Sequence, residues 1–188
     1  VRISSLSRYP EVFTMEEQDV DEDEMWNGLK EALDGACVQF VKARETEGEK
    51  LRDDLTGKLD AMKALVEKIE ERSPQILSEY RANLEEKVRE LLADTQIEES
   101  RIAAEVVIFA DKICTDEELV RLKSHIDHMR ATLLTGEGIG RKLDFIAQEM
   151  NREANTILSK ANDLTVSNYG IDLKTEIEKV REQIQNIE

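Results

Sequence analysis

Aromatic residues make up only 4% of this 188-residue chain, which also holds just two prolines, eight glycines and two cysteines. A sandwich or barrel of many short strands needs large side chains to fill it and Gly- or Pro-rich reversals to close it, so these shortages argue against an all-β fold. Cys37 and Cys114 are too few for a disulfide framework and lack zinc spacing, which makes a reducing, cytoplasmic setting the expectation. No apolar run is long enough to span a bilayer and no charged-then-apolar leader opens the chain, so no membrane partner is expected. Positive charge is also short: the formal net charge is −16. That balance is unfavourable for a nucleic-acid binder, because phosphate contacts rest on Lys and Arg. The shortage is not uniform. Lys112 to Lys160 carries eight Lys/Arg against eight Asp/Glu plus both histidines, so all the excess negative charge lies elsewhere.

What the chain has in quantity is charge, 36% of its residues, interleaved with apolar residues at helical spacing. The expectation is an all-α fold of five or six helices, long and antiparallel, with coiled-coil-like hairpins. Val1 to Thr14 alternates loosely around Pro10 and reads as a strand remnant or an unstructured arm. The acidic run Glu16 to Glu24 suits a helix start. A first helix of some 45 residues follows, from about Asp23 to Glu71, with Trp26, Leu29, Leu33, Ala36, Phe40 and Ala43 in heptad spacing. Leu59, Met62, Val66 and Ile69 resume the pattern. Ser73-Pro74 reads as the cap and first position of a new helix. A further helix is expected over Glu98 to Lys112. Thr115 to Leu134 opens on T-D-E-E, a capping box in which Glu118 reaches back. TGEGIG (Thr135 to Gly140) reads as plain turn chemistry rather than a phosphate cradle. The last helix is expected over Ile171 to Ile187.

The stretch Gly140 to Asp163 organises the rest. Ile139, Leu143, Ile146, Met150, Ala154, Ile157 and Ala161 form one apolar stripe. Beside it runs a second stripe, Asp144, Gln148, Asn151, Asn155 and Ser159. Solvated helix faces favour Lys and Glu over Asn and Ser, so this stripe suggests fixed hydrogen-bonding partners, either in a buried polar seam or for a ligand.

GRKLDFIAQEMNREANTILSKAND (Gly140 to Asp163) resembles the signature of the YicC/YloC family, described as stress-induced proteins and endoribonucleases. ADKICTDEELVRLKSH (Ala110 to His125) resembles a second block of that family, and ARETEGEKL (Ala43 to Leu51) a third. The final EKVREQIQNIE is similar to the family's ending. Arg44, Glu47, Gly48 and Asp111 fall in these blocks. The family opens on an MTGFGR-like motif that is not seen here, which gives the expectation of a C-terminal helical part without the N-terminal domain. On that reading residues 1–15 are a remnant or linker, 16–112 a long helical hairpin region and 113–188 the region with the signature. The resemblance implies a metal-dependent endoribonuclease acting on single-stranded RNA, and ring-forming homo-oligomers.

Candidate chemistry gathers on two helices. Glu118, Arg121 and His125 lie along one edge of an apolar stripe, while Glu149 and Glu153 stand one turn apart beside Arg152. If the two helices pack antiparallel, these faces meet. One imidazole with several carboxylates and no thiolate suits Mn²⁺ or Mg²⁺ rather than zinc. The expected metal ligands are therefore His125, Glu118, Glu149 and Glu153, with His125, Glu149 and Glu153 as the catalytic candidates. Ion pairing of the same carboxylates with Arg152 and Lys160 is the competing arrangement. Arg121, Lys123, Arg141, Lys142 and Arg152 are the expected RNA contacts. Phe145 is the only aromatic between Lys112 and Lys160, so contacts mostly to phosphate are expected. An assembly module of a different class, built on the heptad seams and without catalysis, is the alternative.

Overall fold

The computed structural model describes residues 2–6, 8–10, 12, 21–92, 98–136 and 138–187. They form six helices and, among the described residues, no strand: α1 (Ile3–Leu6), α2 (Glu22–Leu92), α3 (Glu99–Ile113), α4 (Asp116–Leu133), α5 (Gly140–Lys160) and α6 (Leu164–Ile184). The all-α expectation holds. The chain divides into two compact units, Val1–Thr46 and Glu47–Glu188.

In the first unit the described part of the opening segment contains a four-residue helix, not a strand. Most of the acidic run expected to begin the next helix, residues 16–20, lies outside the described residues. Asp21 makes the cap itself: its Oδ1 accepts from the backbone N–H of Asp23 at 3.0 Å and of Glu24 at 3.2 Å, relieving two of the donors a helix start leaves open. Glu22, Asp23 and Glu24 then place negative charge in the first turn, where the helix dipole favours it. No described residue of this unit is buried, and Trp26, Leu29, Leu33 and Phe40 stay close to 60% exposed.

The second unit holds the core. Leu55, Leu59, Met62, Val66 and Ile69 of α2 are all buried, spaced alternately four and three apart. They join Leu119, Leu122, Ile126 and Met129 of α4, Leu143, Met150 and Ile157 of α5, and Leu173, Ile177 and Val180 of α6 in one cluster. The heptad pattern of this stretch is therefore used within the chain, and residues 55–69 belong with the region expected to begin at 113. Two ion pairs flank the α2 to α4 contact, Lys123 to Glu70 at 2.6 Å and Arg130 to Asp60.

The expected break at Ser73-Pro74 does not occur. α2 runs through Pro74 for 71 residues, although an interior proline removes one helix hydrogen bond and crowds the preceding turn. Ser73 is not a cap; its hydroxyl donates to the Ile69 carbonyl at 3.0 Å. The compensation comes from Arg72. Its guanidinium reaches Glu79, beyond the proline, at 2.6 and 2.7 Å, and Asp163, in the loop before α6, at 2.9 Å. One pair within α2 thus spans the proline and one tertiary pair ties its N-terminal side to the α5–α6 turn, and sequence spacing gives no view of the second. Past the proline, Tyr80 stacks on Phe109 of α3 with ring centroids 3.7 Å apart, so α2 touches α3 there.

Two further boundaries shift. The capping box at Thr115 is not formed: Thr115 makes no side-chain cap bond, and Glu118 turns to Lys160 instead. α6 begins at Leu164, seven residues before the expected start, because Asp163 caps it by accepting from the Val166 N–H at 2.9 Å. Gly170 lies inside this helix for steric reasons. A Cβ there would come within 2.6 Å of Leu158 Cδ2, so glycine lets α5 and α6 approach. Gly140 plays the same part where the end of the chain crosses α5, with the Ile187 carbonyl oxygen 2.8 Å from a would-be Cβ. In the loop before it, Gly136 and Gly138 have φ of 96° and 73°, values that favour glycine.

Candidate functional site

α5 is the central helix of the α4–α5–α6 layer, packing against α4 on one side and α6 on the other. Its apolar stripe behaves as its spacing dictates: Leu143, Ile146, Met150, Ala154 and Ile157 are buried. The polar stripe divides. Asp144 accepts from Arg181 of α6 at 3.2 Å, and Asn151 donates to Glu178 of α6 at 3.3 Å. Gln148, Asn155 and Ser159 remain exposed. The seam is therefore a rim along α6 with an open polar edge, not a buried polar layer.

α4 and α5 pack antiparallel, as the candidate site requires. Lys160 Nζ donates to Glu118 Oε1 at 2.8 Å and to the Cys114 carbonyl at 3.0 Å, and Arg121 approaches Glu153 at 3.8 Å. This register sets His125 of α4, half-buried, level with Glu149 and Glu153 of α5. The four expected ligands do not close into one group. Glu118 is held by Lys160, Glu153 by Arg121, and Glu149 by Arg152 at 2.9 Å. Among the described residues, no three His, Cys, Asp or Glu side chains gather where they could hold a metal ion. Of the competing pairings, Glu149 with Arg152 is formed, whereas Lys160 takes the buried Glu118.

Glu118 is the most constrained of these groups. Its side chain is 8% exposed. Burial pushes its carboxyl up, but the Lys160 hydrogen bond and nearby positive charge pull it down further, leaving it below the usual range. The same bond holds the Lys160 ammonium above its ordinary value. Glu118 Oε2 is buried without a hydrogen-bond partner among the described residues.

The five expected RNA contacts are not equivalent. Lys123 is engaged with Glu70 of α2. Arg121 bridges Glu117, at 2.9 Å, and Glu153. Arg152 pairs with Glu149, yet its side chain is 76% exposed. Arg141 and Lys142 are exposed and make no ion pair among the described residues. They occupy the first turn of α5, which carries no acidic residue. Cations at that end oppose the helix dipole by roughly 0.3–1 kcal/mol each, so helix stability does not explain them.

Of the remaining motif residues, Arg44 sits 5.5 Å over the Phe40 ring in the first unit. Glu47 is exposed in the second unit, and nothing lies within 4 Å of a Cβ built on Gly48. Asp111 is exposed near the end of α3, and its carbonyl accepts from the Cys114 N–H at 3.4 Å. Sequence reasoning missed the two ties that hold the site in place, Lys160 to Glu118 and Arg72 to Asp163. The lysine was visible at the end of its helix, but nothing local distinguishes it from a solvated one.

The C-terminal family model described as "Endoribonuclease YicC-like, C-terminal" matches residues 69–188, and the model "Endoribonuclease YicC-like, N-terminal region" matches residues 1–53. The second match corrects the expectation that the family's N-terminal domain is missing. A "Probable endoribonuclease YicC" of Clostridioides difficile (strain 630) is 42% identical over 189 residues, covering all of this chain and 64% of that protein. A protein of the same description from Haemophilus influenzae is 35% identical over 188 residues, again covering all of this chain and 64% of the relative. The chain thus spans 64% of the length of these curated relatives, and the signature helix α5 and its partners α4 and α6 lie wholly within the C-terminal match. The chain belongs to the YicC-like endoribonuclease family.

Proposed function

We propose that this chain is the RNA-engaging helical region of an endoribonuclease that cuts single-stranded RNA. The observation that carries this reading is the outer face of α5, where Arg141 and Lys142 stand exposed and uncommitted and Arg152 projects nearby. Unpaired cations on one face are what phosphate contact requires, and they lie in the long stretch from Lys112 to Lys160 that carries no excess negative charge. Arg121 and Lys123 would serve phosphate only by leaving their carboxylate partners. His125, level with Glu149 and Glu153, is the candidate for proton transfer at the scissile phosphodiester. As arranged, Glu118, Glu149 and Glu153 each face a basic side chain. The test is incubation of a labelled single-stranded RNA with the chain and Mn²⁺, with and without chelator, beside Arg141→Glu/Lys142→Glu. Cleavage by the wild type that the double variant loses supports the reading, and the chelator arm decides metal dependence. Intact RNA in every arm refutes catalysis by this chain.

Self-association is a second element of the proposal, favoured by the exposed stripe Trp26, Leu29, Leu33 and Phe40 in the first unit. Four large apolar side chains in heptad spacing suit a partner helix. A monomeric mass by light scattering at tens of micromolar would refute it.

A further inference from the structure

We propose that Phe145 is a stacking platform for a nucleobase of single-stranded RNA, on the outer face of α5; this rests on the RNA-binding reading above and goes beyond phosphate contact. Phe145 is 63% exposed, while Leu143, Ile146, Ala147 and Met150 around it in sequence are buried. The core side of α5 is complete without this ring. An isolated exposed apolar residue needs no explanation in general; the surroundings of this one set it apart. By helical periodicity Arg141 stands one turn before it, Gln148 one turn after it and Arg152 two turns after it, all on the same face. A protein-docking patch would continue in apolar side chains, whereas this ring is bordered along the helix by Arg141, Lys142 and Gln148, and by Glu149, which pairs with Arg152.

Arg152 is paired with Glu149 but largely exposed, and the other neighbours keep polar atoms open to a ligand. Arg141 and Lys142 make no ion pair among the described residues. Gln148 spends its amide N–H on Asp144 Oδ2 at 2.8 Å, which leaves its carbonyl oxygen open. Asn155, one turn beyond Arg152, is exposed and its side chain makes no hydrogen bond among the described residues. An amide with free donor and acceptor suits the edge of an unstacked base, and single-stranded RNA is recognised by stacking on aromatic rings combined with such edge contacts. From Arg141 to Arg152 the track is roughly 16 Å long at about 1.5 Å per residue, enough for a few nucleotides. Phosphates would be held at its two ends by arginine and a base would lie on Phe145 between them.

The experiment compares binding of two labelled oligomers of equal length in chelator by fluorescence anisotropy, one oligoadenylate and one abasic ribose-phosphate chain. The variants are Phe145→Leu, Phe145→Trp and Arg141→Glu/Lys142→Glu. Phe145→Leu is expected to weaken oligoadenylate binding by about 5- to 100-fold, the range that loss of one stacked base gives, with no change for the abasic oligomer. Phe145→Trp is expected to retain wild-type affinity, and Arg141→Glu/Lys142→Glu to weaken both oligomers. Unchanged oligoadenylate affinity in Phe145→Leu overturns the inference, as does an equal loss on both oligomers. If the charge variant still weakens binding in that case, the RNA reading stands and only the stacking role falls. A wild-type chain that binds neither oligomer overturns both.

Discussion

Asp163 offers the sharpest test of how this fold is held, because one carboxylate has two separable jobs. Oδ1 caps α6 through the Val166 N–H at 2.9 Å, and the carboxylate accepts from Arg72 at 2.9 Å, tying the helix that carries Pro74 to the α5–α6 turn. Asp163→Ala removes both contacts. Asp163→Asn keeps the cap, since Asn caps as well as Asp, but removes the charge. Loss of a cap costs about 1 kcal/mol, which in a chain of this size is roughly 2–4 °C in Tm. The Ala variant is therefore expected to melt about 2–4 °C below the Asn variant by circular dichroism. The Arg72 bonds are the first cause that holds the Asp163 carboxyl below its usual range, aided by the Val166 N–H and opposed by burial. A group whose folded pKa is depressed contributes stability above its unfolded pKa, near 3.9, and loses it as pH falls through the folded value. The gap between wild type and Asp163→Asn should accordingly be constant near neutrality and narrow below about pH 4. Equal melting of the two variants would refute the capping role. A gap that persists unchanged at the acid end would refute the ionic one.

Other expectations follow from single contacts. Gly170→Ala should destabilise by about 1–3 kcal/mol through overpacking against Leu158, 2.6 Å from the new Cβ, and Leu158→Ala in the same chain should recover part of it; urea denaturation reads both. Lys160→Met should cost more than the double variant Glu118→Gln/Lys160→Met, because the single change strands a buried carboxylate, and the same denaturation cycle gives the difference. His125→Ala should abolish RNA cleavage while shifting Tm by less than about 3 °C, since this half-buried residue makes no hydrogen bond among the described residues. A large drop in Tm would instead assign His125 to the packing of α4 on α5.

The helices were legible where an apolar period of 3.6 continued long enough to be counted. Leu143 to Ile157 and Leu55 to Ile69 are buried at the spacing the sequence displays. The errors fell where tertiary contacts override local chemistry. Ser73-Pro74 is a sound helix start by every local rule, yet Arg72 reaches across it to Glu79 and Asp163, and α2 runs on. T-D-E-E is a sound capping box, yet Glu118 gains a charge-assisted bond to a lysine 42 positions away. The early start of α6 has the opposite cause. A start at Ile171 leaves Gly170 outside the helix, and only the approach of Leu158 shows why it belongs inside.

The site was legible as a neighbourhood, because spacing on two helices and a short connection bring α4 and α5 face to face. Its wiring was not. Sequence places Glu118 and His125 along one edge of α4 and Glu149 and Glu153 a turn apart on α5, but which carboxylate meets which cation depends on rotamers and on register to within one turn, and here each carboxylate has a basic partner. The same ambiguity hid the open face. A stripe of amides could serve a neighbouring helix or a ligand. The structure gives Asp144 and Asn151 to α6 and leaves Gln148 exposed one turn from Phe145, with Asn155 exposed further along the helix. Leaving the Phe145 ring in water forgoes the roughly 1.5–3 kcal/mol that burial of a side chain of this size contributes. Folding has taken every other large apolar residue between Leu143 and Ile157 into the core. On the proposed reading, that exception marks the face of α5 that meets RNA.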